Sequence, residues 1–131
     1  MDNNQTNNSQ SLNKVIQIAA PILAALFYGL WAGYSNYEYG LNSAFSAGII
    51  QGSFAFISTW LLTYLISWSI KRAAEPKKLV IFSQCASLLV GIPLGLHLIA
   101  STPNILEAML PGAIIGNSYA YGLIRSLIPS T

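Results

Sequence analysis

The segment AFSAGIIQGSFAFISTWLLTYLISWSIKR (residues 44–72) has no charged side chain until Lys71 and Arg72 close it. A chain of 131 residues cannot build a water-soluble core large enough to hide such a run on all sides. A bilayer can accept it, because roughly 20 apolar residues cross the hydrocarbon as a helix whose backbone groups are satisfied internally. Ala44 to Ile70 therefore predicts a transmembrane helix, longer than the hydrocarbon requires and so tilted or projecting beyond it. Gly48 and Gly52 lie toward one end of this helix and the basic pair toward the other.

Three more stretches of the same kind flank it. Predicted spans run over about 15–34, 44–70, 79–100 and 108–127. Hydrophobic residues make up 53% of the chain and charged residues 8%, with a mean hydropathy of +0.52, which excludes an ordinary soluble domain. The formal charge of +2 is too small for a nucleic-acid surface. Cys85 is the lone cysteine, so no intrachain disulfide can form. Residues 1–13, rich in asparagine, cannot bury a core and read as a disordered polar tail ahead of one four-helix domain over 14–131. Lys14 and the apolar run after it also fit a secretory leader cut near Leu30 to Gly33, but a run of spanning length favours a retained helix.

Charge placement sets the expected topology. With four spans, Lys14, the group Lys71, Arg72, Lys77 and Lys78, and Arg125 all fall on one side, while the opposite connections carry Glu38 and Glu107. That pattern predicts both termini in the cytoplasm and two hairpins of the same orientation. The four loop cations double as a candidate contact for anionic headgroups, around the turn containing Glu75 and Pro76.

Eight of the ten glycines form Gly-x-x-x-Gly pairs, one in each span: Gly29/Gly33, Gly48/Gly52, Gly91/Gly95 and Gly112/Gly116. Helices in lipid associate through close backbone approach, which small residues four apart permit. Counted inward from the predicted outer ends, all eight lie within about 14 Å of that boundary at 1.5 Å per residue. The expectation is a bundle tight in its outer half and looser toward the cytoplasm. The pairs recur at offsets of 62 and 64 residues, a weak sign of a hairpin repeat.

Polar residues inside the spans are few. Gln51 and Asn117 each neighbour a glycine pair and are candidate ligand contacts, with packing through interhelical hydrogen bonds as the plainer role. Gln17 and Gln84 are further amides expected to lie within the spans. His97 and Glu107, with Glu38, form the one acid-base or gating constellation available, set against a histidine at the interface and a glutamate in a capping box with Asn104. No phosphate loop, dinucleotide fingerprint or metal-ligand spacing is present, so no cofactor and no metal is expected. The run Gly29 to Tyr34, followed by Gly48 and Gly52, resembles the small eukaryotic four-span family that includes plastid fatty-acid exporters. The resemblance covers two spans and rests on glycines that many membrane helices share, so no residue role is carried over.

The expected protein is an all-α integral membrane protein of the bacterial inner membrane. Its partners are the bilayer and either further copies of itself or a larger membrane protein. A non-enzymatic transporter or channel-like protein for a small or lipidic substrate is the leading expectation. An accessory subunit packing against a larger membrane protein comes second, and an outer-leaflet lipid enzyme using His97 and Glu107 third.

Overall fold

The computed structural model describes residues 3–72 and 77–128, with side chains from Ile18 onward. Glu75, Pro76 and the side chains of Lys14 and Gln17 lie outside the described residues. Four α-helices follow in order: α1 (Asn3–Ser35), α2 (Leu41–Arg72), α3 (Lys78–Ile99) and α4 (Ile105–Leu127), with one 3-10 turn over Tyr37–Tyr39. There is no strand among the described residues.

Three helices are long and apolar enough to cross a membrane: α1 from Ile18 to Ser35, α2 and α3. The fourth, α4, has 23 residues but is less apolar, because Asn117, Ser118, two tyrosines and Arg125 dilute it. The asparagine-rich segment, expected to be an irregular tail, is helical from Asn3. Extending an existing helix adds one hydrogen bond per residue without a new nucleus, so poor helix formers can follow a strong span.

Consecutive helices run antiparallel and pack side by side, α1 on α2, α2 on α3 and α3 on α4; α4 closes against α1 and touches α2 across the diagonal, whereas among the described residues α1 and α3 do not meet. The two ends of the bundle differ. At the end bearing Lys78 and Arg125, a cluster of Leu62, Ile66, Ile81, Cys85, Leu89, Ala120 and Ile124 fills the space between α2, α3 and α4. At the opposite end a cluster of alanines, Ala32, Ala47 and Ala108, meets where α1, α2 and α4 converge.

The α1–α2 hairpin closes on its glycines. A Cβ added at Gly29 would stand 3.0 Å from the Gly48 carbonyl oxygen, one at Gly48 would stand 3.0 Å from the Gly29 oxygen, and one at Gly52 would stand 2.9 Å from the Ala25 oxygen. These are backbone neighbours with no freedom to move aside. In the other hairpin the glycines do not meet: nothing lies within 4 Å of a Cβ at Gly91 or Gly95, Gly116 faces Leu89 at 3.6 Å, and Gly112 faces the Gln51 side chain. The four pairs share a spacing but not a direction around the helix, and the α3 pair points away from its neighbours.

Nor does the bundle loosen evenly toward its basic end, where the apolar cluster packs α2, α3 and α4 together. One open crevice lies against α1, and others lie along α2–α3 and α3–α4 toward the basic end.

Candidate functional site

Two asparagines tie the connections together at the alanine end. Asn36, fully buried after α1, donates from Nδ2 to the Ala32 carbonyl at 3.0 Å and accepts from the Asn104 backbone N–H at 2.9 Å. Since that N–H is taken, Glu107 makes no capping box; its carboxylate instead accepts from Asn104 Nδ2 at 2.8 Å. The Glu107 carbonyl accepts from Trp31 Nε1 at 2.7 Å, joining α4 to α1. Nothing in the spacing of Asn36 announced this clasp, which depends on two connections far apart in sequence.

Below the clasp lies a buried polar chain. α3 ends in a Schellman turn: Ser101 takes the left-handed conformation (φ 54°), its N–H donates to the Leu98 carbonyl at 3.1 Å, and the Thr102 N–H donates to the His97 carbonyl at 3.0 Å. The turn brings the Thr102 hydroxyl to 3.0 Å from His97 Nδ1, and on the other side of the ring Nε2 lies 3.1 Å from Gln51 Oε1. A carbonyl oxygen only accepts, so Nε2 carries the proton and Nδ1 accepts from Thr102. The neutral ring meets both partners with no buried charge. His97 is fully buried and Gln51 is 2% exposed.

This corrects two expectations. His97 is not an interfacial loop residue, and it is not paired with Glu107 or Glu38, whose side chains are exposed at the connections. Thr102, absent from the sequence-based candidates, is the third member of the chain. The Schellman turn that places it lacks its usual glycine, which is why it went unseen.

Gln51 stands at the head of a crevice of about 340 Å³ between α1, α2 and α4. Ala20, Ala24 and Tyr28 form one wall; Ile115, Gly116 and Tyr119 form the facing one. α2 supplies the floor from Gln51 to Leu62, a length of roughly 16 Å at 1.5 Å per residue. Small residues make the room: Ala20 and Ala24 present almost no side chain, and Gly112 and Gly116 leave the space beside α4 unfilled. Ser58 and Thr59 return their hydroxyl protons to the Ala55 carbonyl, at 3.3 and 2.7 Å, so they add little polarity to the wall. Ala20, Ile115 and Tyr119 are exposed and form a rim open to the surroundings.

Asn117 is not part of the crevice. Its Nδ2 donates to the Ala113 carbonyl at 2.6 Å, and its Oδ1 is enclosed without a partner, the one such atom among the described residues. Lys71, Arg72, Lys77 and Lys78 lie at the far end of the bundle, where Arg72 stacks over the Trp68 ring at 4.8 Å. Among the described residues no three His, Cys, Asp or Glu side chains gather as a metal site would require. No protein-family model, curated protein or solved structure matches this chain.

Proposed function

We propose that this is a small four-span membrane protein that binds an apolar or lipidic molecule in the crevice between α1, α2 and α4 and carries it along or across the bilayer. The observation that carries the reading is the crevice itself. Its volume, about 340 Å³, falls within the range of small-molecule sites, its walls are almost wholly apolar, and its rim is built from exposed residues of α1 and α4. In a bilayer that rim would face hydrocarbon, and a lipid-soluble molecule could enter sideways without crossing water.

The topology proposed with it has α4 as a fourth span, both termini in the cytoplasm and the basic end inward, as the distribution of Lys and Arg favours. A bacterial inner membrane suits this arrangement. The route lies within one chain, and association of several copies would serve stability.

A saturable photolabelling experiment tests the reading. A hexadecane carrying a diazirine, added to the protein in nanodiscs, should label the α1 and α4 walls with saturation, while lipid-facing surfaces label in proportion to dose. Ala24→Phe, which fills the crevice, should remove the saturable part. Dose-proportional labelling of every helix, unchanged by Ala24→Phe, would refute it.

A second reading, an accessory subunit docked on a larger membrane protein, is favoured by the outward-facing Gly91 and Gly95. Mass measurement in mild detergent separates the two: a stoichiometric foreign subunit supports docking, and a particle made of this chain alone supports a self-sufficient carrier.

A further inference from the structure

The chain of donors running through the core ends in an unused one. Thr102 donates to His97 Nδ1, and His97 Nε2 donates to Gln51 Oε1, which turns the other half of the amide, Nε2, toward Gly112 on the crevice side. A Cβ at Gly112 would come within 2.7 Å of that nitrogen, so glycine is what leaves it space. Among the described residues Gln51 Nε2 has no hydrogen-bond partner, yet it is not among the enclosed unpaired atoms: it opens onto the crevice that Gln51 lines. Gln51 is 2% exposed, and a buried N–H left without an acceptor is costly.

We infer that the crevice takes a molecule with a neutral carbonyl oxygen at its head and an apolar body, the carbonyl accepting from Gln51 Nε2 and the body lying along α2 toward Leu62. The inference rests on the proposed apolar ligand in this crevice and adds the head group it selects. A neutral ester, ketone or quinone oxygen fits. A free carboxylate does not, because no Lys or Arg lines the crevice and an ion there would be unpaired. His97 is a positioning residue: with its own proton committed to Oε1, it keeps the amide from turning its oxygen toward the ligand. Donors polarised in series strengthen one another, so the terminal N–H is a better donor than an isolated amide.

The test compares two photoreactive probes of equal chain length in nanodiscs, methyl palmitate and hexadecane, each carrying a diazirine. The ester should half-saturate the crevice at a concentration roughly three- to tenfold lower than the hydrocarbon, the value of one hydrogen bond. Gln51→Leu should abolish that ratio while hydrocarbon labelling persists, which also shows that the variant folds. His97→Phe should shrink the ratio.

Equal affinity for ester and hydrocarbon, with labelling still lost in Ala24→Phe, would overturn the head-group assignment and leave the crevice reading standing. A ratio that survives in Gln51→Leu would also overturn it. Absence of saturable labelling by either probe would overturn both readings. Tighter binding of palmitate anion than of its methyl ester would contradict a neutral head.

Discussion

The two hairpins of this bundle carry the same glycine spacing and use it in opposite ways. In α1–α2 the glycines face one another, with backbone oxygens 3.0 Å from where a Cβ would stand. In α3–α4 one pair looks outward, and in the other Gly112 leaves room beside α4 for the Gln51 side chain while Gly116 lines the crevice below it. A small residue in a membrane helix removes volume, and only the neighbouring element decides whether backbone, side chain, ligand or lipid takes the space.

The most damaging substitution should therefore lie in the first hairpin. Gly52→Leu forces the α1 backbone at Ala25 to retreat from α2, and we expect a loss of about 3 kcal/mol, the upper end of overpacking costs, in reversible detergent unfolding. A variant that unfolds like the parent would mean that α1 and α2 do not approach there. His97→Leu should come next, at about 2 kcal/mol, since it strands Gln51 Oε1 and the Thr102 hydroxyl. Asn36→Ala should cost about 1.5 kcal/mol by opening the clasp to Asn104, and faster proteolysis at the connections would accompany it.

The second hairpin should respond weakly. Gly112→Ala meets only the far end of a side chain, so we expect less than about 1 kcal/mol of destabilisation, with a larger effect on ester selectivity than on unfolding. Gly91→Ala meets nothing and should stabilise α3 by up to about 1 kcal/mol through helix propensity. A strong loss at Gly91 would reveal a partner on that face and erase the contrast between the hairpins.

How far the sequence could be read follows from the same contrast. Helical class and the three most apolar helices are legible because charge gaps and length along one chain suffice to define them. The direction a glycine faces is not legible: Gly95 and Gly48 sit at similar counted depth, but which way each points is set by helices elsewhere in the chain. Gln51 and His97 were visible as polar residues in apolar runs, and their meeting was not, since it joins α2 to the end of α3 across 46 residues. Thr102 and Asn36 were hidden in connections, where a hydroxyl or amide looks like ordinary loop polarity until tertiary structure buries it.

In the proposed function the crevice of α1, α2 and α4, and not the outward glycine face of α3, holds the ligand. Peptide mapping of the saturable methyl palmitate photoadduct addresses this directly. Adducts should fall on the segments containing Ala24 and Tyr28 in α1 and Ile115 to Tyr119 in α4. Saturable adducts confined to α3 around Gly91 and Gly95 would contradict it.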